Sequence, residues 1–158
     1  MYLQNHYQNA YVTHDIEKAI ALLESRYGIQ GLFPMDVEVD VVCPGPEKTL
    51  NMRLAFAWVG KTQIELIQPL SGCIQHYVDS LPTGKTDYRP CFNHIAMRRD
   101  DLGAMQREIE SMKLPVLFEG GDPNGLRFTY VDARAELGHL LEYVWTTPDF
   151  WTLMGWPA

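Results

Sequence analysis

The sequence predicts an α+β fold of two βαβββ modules, and three observations predict it. A strand-like segment followed by an Asp-capped helix occurs twice, three β-rich stretches follow each helix, and a Pro- and Gly-bearing segment separates the two sets. The two sets also agree in register. Gln8 precedes Asp15 by seven residues and His94 precedes Asp101 by seven, while Ala10 matches Ala96 and Ile16 matches Leu102. An internal repeat is the economical explanation.

Each element has a local reason. Residues 8–13 (QNAYVT) alternate in character and end at His14-Asp15, where an Asp cap opens the helix IEKAIALLESRYG, closed by Gly28. Residues 94–99 (HIAMRR) repeat this, with Asp100 and Asp101 ahead of LGAMQREIESM, a helix that ends before Leu114-Pro115. The β-branched and aromatic stretches VEVDVVC, LNMRLAFAWVG and TQIELIQPL follow the first helix; PVLFEGG, LRFTYVD and HLLEYVW follow the second. Gly60-Lys61 and Asp122-Pro123-Asn124-Gly125 are expected turns. The expected organisation is a single domain over residues 1–158: module one about 6–70, linker 71–90, module two about 91–146, and an aromatic tail 147–158.

Composition narrows the function. A formal charge of −7 removes the basic surface that nucleic acid or an anionic membrane would require. The start, MYLQNHYQNAYVTHD, lacks the basic and apolar regions of a signal peptide, and no run approaches the ~20 apolar residues that span a bilayer. A cytoplasmic protein acting on a small molecule is the expectation. Cys43, Cys73 and Cys91 are odd in number and widely spaced, which suggests reduced thiols rather than a disulfide framework or thiolate zinc site.

The strands carry the chemical signal. Alternate residues share a face, so Ile64 and Leu66 can meet a helix while Gln63, Glu65 and Ile67 face away from it. The same parity sets His94 with Ala96, Glu142 with Leu140 and Val144, and Gln8 with Ala10 and Val12. Four polar groups thus project from apolar strand faces. Two buried carboxylates are costly without a compensating cation, and imidazole, two carboxylates and an amide oxygen suit one divalent ion: Zn, Ni, Co, Mn, Fe or Mg. With four protein ligands an octahedral ion keeps two positions for water or substrate, as a catalytic site requires.

These elements, QNAYVTHDIEKAI, TQIELIQPL, NHIAMRRDDL and GHLLEYV in that order, resemble the vicinal oxygen chelate superfamily, which includes glyoxalase I, methylmalonyl-CoA epimerase, extradiol dioxygenases and bleomycin resistance proteins. The resemblance covers about residues 8–145 and is nearest in pattern to glyoxalase I and methylmalonyl-CoA epimerase. It implies a cupped mixed sheet around a metal, helices on the outer face, and a metal held by the first and last strand of each module: Gln8, Glu65, His94 and Glu142. It further implies an isomerase, epimerase or lyase that moves a proton next to a metal-chelated carbonyl through an enolate or enediolate, with Glu142 as first candidate base and Glu65 as second. Val12 and Pro69 stand where glutathione-dependent relatives carry arginine and asparagine, so the resemblance does not extend to glutathione recognition. Where the epimerase has its glutamate base this chain has Thr49, with Glu47 the nearest carboxylate. The alternatives are a ligand-sequestering protein of the bleomycin-resistance type and an Fe(II) ring-cleaving dioxygenase, the latter opposed by Gln8 in place of a first histidine.

Either Phe56 and Trp58 or Ala55 and Ala57 point into the cup, with Phe128 and Tyr130 on a partner strand. Arg53 and Tyr130 are candidate polar handles for a small apolar or aromatic substrate, and His139 a candidate at the pocket rim. The tail TTPDFWTLMGWPA carries too much apolar surface to stay in water. It docks on the body, lines the cup, or makes a homodimer contact.

Overall fold

The computed structural model describes residues 1–122 and 125–156. In chain order the elements are β1 (His6–Val12), α1 (Ile16–Tyr27), β2 (Met35–Val42), β3 (Thr49–Val59), β4 (Thr62–Gly72), α2 (Gln75–Val78), β5 (Cys91–Arg99), α3 (Leu102–Met112), β6 (Val116–Gly120), β7 (Leu126–Asp132), α4 (Arg134–Leu137), β8 (Leu140–Thr146) and α5 (Pro148–Leu153). Both expected caps are present. The Asp15 side chain accepts from the Lys18 N–H and the Asp101 side chain from the Ala104 N–H, each satisfying a donor that the first helical turn leaves free. Gly60 turns β3 into β4 at φ +64°, in the left-handed region. Of the expected turn around Asp122, Pro123 and Asn124 lie outside the described residues.

The eight strands form one barrel in the order β1, β4, β3, β2, β6, β7, β8, β5. β1 runs parallel to β4 and β5 parallel to β8, while the other neighbours are antiparallel. The two seams between modules differ greatly. β1 and β5 pair from His6–Met97 to Val12–Cys91, whereas β2 and β6 meet only through Val41–Gly120 and Val42–Glu119. Gly120 permits that second approach: a Cβ there would stand 2.7 Å from the Asp40 carbonyl oxygen and 2.8 Å from the Phe128 ring.

Alternation sorts the strand residues into two environments. On the outside, α1 covers Ala55, Ala57 and Leu66 with Ile16, Ala19 and Ile20, and α3 covers Met97, Leu141 and Tyr143 with Met105 and Ile109. Inside, Ala10, Val12, Ile67, Ala96, Leu140 and Val144 join the central core. The two long helices, α1 and α3, therefore lie on the outer face, as expected.

Three features depart from or resolve the sequence reading. The linker contains α2, whose Tyr77 is buried in the central core, and α4 interrupts the path from β7 to β8. Helices of four residues have no hydrophobic period to reveal them. The tail folds as α5, with Thr147 accepting from the Phe150 N–H and Pro148 in the first turn. It docks on its own barrel: Trp151 is 2% exposed, the Arg98 guanidinium lies over Trp151 and Trp156 at 4.9 and 4.4 Å, and Trp58 Nε1 donates to the Met154 carbonyl at 3.0 Å. Among the described residues no helix is long and apolar enough to cross a membrane.

Candidate functional site

Register brings Gln8, Glu65, His94 and Glu142 together. Ala10 lies opposite both Glu65 and His94, Gln8 opposite Ala96, and Ala96 opposite Glu142, so the four side chains share the inner surface of β1, β4, β5 and β8. All four are buried. His94 Nε2 stands 3.4 Å from Glu142 Oε2 and 3.7 Å from Glu65 Oε2. Gln8 Nε2 donates to Gln63 Oε1 at 2.6 Å, which leaves Gln8 Oε1 buried with no hydrogen-bond partner.

A chain of hydrogen bonds orients His94. Asn93 Nδ2 donates to the His76 carbonyl at 3.2 Å and to Ser80 Oγ at 3.0 Å, turning Asn93 Oδ1 towards His94 Nδ1 at 2.9 Å. An amide oxygen can only accept, so Nδ1 is the donor, and in the neutral imidazole the Nε2 lone pair faces the carboxylates. On the other side Tyr77 OH donates to Tyr130 OH at 3.1 Å, and Tyr130 OH lies 3.2 Å from His94 Nε2. Burial, helped by the Glu142 charge, holds the Tyr130 phenol well above its ordinary pKa. Burial and then Glu142 likewise raise the Glu65 carboxyl well above the usual carboxylate range.

Among the described residues, no three or more His, Cys, Asp and Glu side chains already stand in a metal-holding cluster; the floor groups meet one another instead. The donor set still fits a divalent ion. The lone pair of His94, the orphaned Gln8 oxygen and two buried carboxylates supply donors of the right kind.

Gln8, Glu65 and Glu142, with His94 buried behind them, line a cavity of about 400 Å³, within the ~300–1,000 Å³ usual for small-molecule sites. Of the residues expected to meet substrate, Phe56 and Tyr130 line it, together with Phe128. Trp58 has the inward parity but packs on Tyr7 and Trp156 as a buttress for the tail. Arg53 does not reach the cavity. It shares the outer face with Ala55 and Ala57 and pairs with Glu17 at 3.0 Å and Asp36 at 2.9 Å. His139 is also outside the lining, its Nδ1 2.8 Å from the Leu140 carbonyl and its ring against Phe92. Sequence reasoning missed Tyr7, Gln63 and Tyr77, which do line the cavity. Gln63 shares the parity of Glu65 and was legible; Tyr7 sits at a register shift of β1 that no periodicity marks.

The sequence profile described as the Glyoxalase/Bleomycin resistance protein/Dioxygenase superfamily matches residues 7–130. None of the curated proteins matches the chain in sequence. Among solved structures, methylmalonyl-CoA epimerase from Mycobacterium tuberculosis is similar at 18% identity, covering 94% of this chain and 91% of that one, with a TM-score of 0.61. A methylmalonyl-CoA epimerase in complex with methylmalonyl-CoA and NH4+ is similar at 15% identity, covering 91% and 95%, with a TM-score of 0.60. A hypothetical protein from Bacillus halodurans is similar at 15% identity, covering 90% and 94%, with a TM-score of 0.58. Identities this low speak for the shared fold alone, whereas the profile spans most of the chain. The chain belongs to the Glyoxalase/Bleomycin resistance protein/Dioxygenase superfamily.

Proposed function

We propose that this protein is a metal-dependent isomerase, epimerase or lyase that moves a proton next to a carbonyl on a small apolar or aromatic substrate, working as one domain. The observation that carries the reading is the pair of buried carboxylates flanking His94 Nε2 at the floor of an apolar-walled cavity. Gln8, Glu65, His94 and Glu142 are the residues that would hold the ion. A divalent ion bound there supplies Lewis acidity, polarising the carbonyl and lowering the pKa of the adjacent C–H.

The remaining work falls to the chain. Glu142 removes the proton from the carbon beside the carbonyl, and Glu65, on the other side of His94, returns one to the opposite face or to the neighbouring atom. Asn93 keeps the His94 ring in one tautomer. Tyr130, neutral because it is buried, offers an O–H to a substrate oxygen beside His94 Nε2. The epimerases of shared fold support this class, since epimerisation beside a carbonyl is the same proton transfer.

A ligand-sequestering protein is the second reading, favoured by apolar cavity walls above a floor that, among the described residues, holds no ready-made metal cluster. An Fe(II) dioxygenase is disfavoured by a set holding one histidine. Elemental analysis of purified wild type beside a His94→Ala/Glu142→Ala double variant tests the centre. Near-stoichiometric divalent metal in the wild type alone, with exchange of carbon-bound hydrogen into deuterated solvent lost in Glu142→Gln, is the expected result. Stoichiometric ligand binding without exchange would establish the second reading instead.

A further inference from the structure

We infer that the cavity takes an uncharged ligand whose apolar end rests against the C-terminal helix α5, and that it rejects anionic thioesters and peptide adducts. The inference deepens the proposed reaction by naming the charge and shape of its substrate, and rests on that reading for the location of the reacting end.

Charge decides the first half. Among the described residues no lysine, arginine or histidine lines the cavity. Arg53, the cation nearest in sequence to the lining strand residues Met52 and Leu54, is turned outward and held by two acidic partners. The floor carries Glu65 and Glu142. A divalent ion on these two carboxylates would leave no surplus positive charge. An anionic group entering the cavity would lose its hydration and gain no counterion, which costs several kcal/mol. The outward side chains of β2, Asp36, Glu38 and Asp40, add negative charge beside Met35, Val37 and Val39, which line the cavity. Methylmalonyl-CoA, the ligand named in one structural neighbour, is a polyanion that this lining is not built to receive.

Shape decides the second half. The polar floor residues share the cavity with a wall completed by Phe150, Leu153 and Met154. This wall is anchored, since Trp151 is buried against Tyr7 and Met154 is tied through its carbonyl to Trp58. Leu153 lines the cavity while remaining 79% exposed, which locates it at the rim. The superfamily profile ends at residue 130, so this wall lies beyond the matched region.

The test uses two probes with one aromatic skeleton, uncharged N-phenyl-1-naphthylamine and its sulfonated counterpart 1-anilinonaphthalene-8-sulfonate, whose fluorescence rises in apolar surroundings. Each is titrated against the metal-loaded protein. The expected result is a Kd for the uncharged probe at least about tenfold lower than for the sulfonate. Leu153→Asp weakens the uncharged probe by about tenfold or more, and Phe33→Asp, equally exposed but outside the lining, leaves it unchanged. Phe150→Ala, which opens the wall without adding charge, shifts preference towards uncharged probes with one more ring. Failure of the uncharged probe to bind, equal or tighter binding of the sulfonate, or indifference to Leu153→Asp overturns the inference. Metal content and deuterium exchange on the same samples report separately on the proposed reaction.

Discussion

Gln8 and Gln63 stand directly opposite each other on parallel strands and share one hydrogen bond, which uses the amide nitrogen of the first and the oxygen of the second. The remaining oxygen of Gln8 is thereby buried and unpartnered at the floor, as is the amide nitrogen of Gln63. Gln63 therefore positions the weakest of the four candidate ligands. Gln63→Met should lower divalent-metal affinity by about 10- to 100-fold while the fold is retained, as calorimetric titration and circular dichroism would report. Unchanged affinity would remove Gln8 from the ligand set.

The same logic applies to Asn93. Replacing it with alanine leaves His94 Nδ1 without its acceptor, and we expect a loss of about 1–3 kcal/mol in urea unfolding together with weaker metal binding. Asn93→Asp keeps an acceptor for Nδ1 but loses the donor to the His76 carbonyl, so it should recover the affinity only in part. Metal affinity unchanged in the alanine variant, with stability alone reduced, would assign the contact to packing rather than ring orientation.

His76 makes the protein acid-sensitive. Burial, with smaller contributions from neighbouring His94 and Arg134 and opposed by Asp79, lowers its pKa from 6.5 to about 3. Between those values the unfolded chain binds a proton that the folded chain does not, so stability falls as pH falls, by up to about 1.4 kcal/mol per pH unit. His76→Phe keeps the ring against Phe118 and Tyr77 and removes the titrating nitrogen. The variant should show a flatter decline in urea midpoint from pH 6.5 towards pH 4; parallel curves would assign the acid sensitivity to other groups.

Asp15 and Asp101 cap helices on different modules. Alanine at either position should cost about 1 kcal/mol, and the double variant about 2 kcal/mol, because the two sites share no partner. Chemical denaturation of the three variants reads this directly. A markedly larger double effect would mean that the modules unfold through a shared contact.

Much of this was legible because it is local. A capping aspartate acts on the three residues after it, and inner-face parity along IELIQP and LLEYVW needs only the neighbouring residues, so the caps and the floor could be read from sequence. Tyr77 could not. Its helix has four residues in a Pro- and Gly-bearing linker, and it is ordered by burial against Tyr130, a contact 53 residues away. Arg53 shows the opposite error: once Phe56 points inward, parity sends Arg53 outward, and its value as a polar handle conflicted with the alternation that placed the aromatics.

The unequal seams give the barrel a direction in which to breathe. Parting β1 from β5 breaks a ladder along nearly the whole of both strands, whereas parting β2 from β6 breaks the contact of Val41 and Val42 with Gly120 and Glu119. Amide protons along that clasp should exchange with solvent earlier than those at the β1–β5 seam. The clasp joins strands whose modules both line the cavity, so loosening there would open the ring on one side while the β1–β5 seam, directly across it, stays locked.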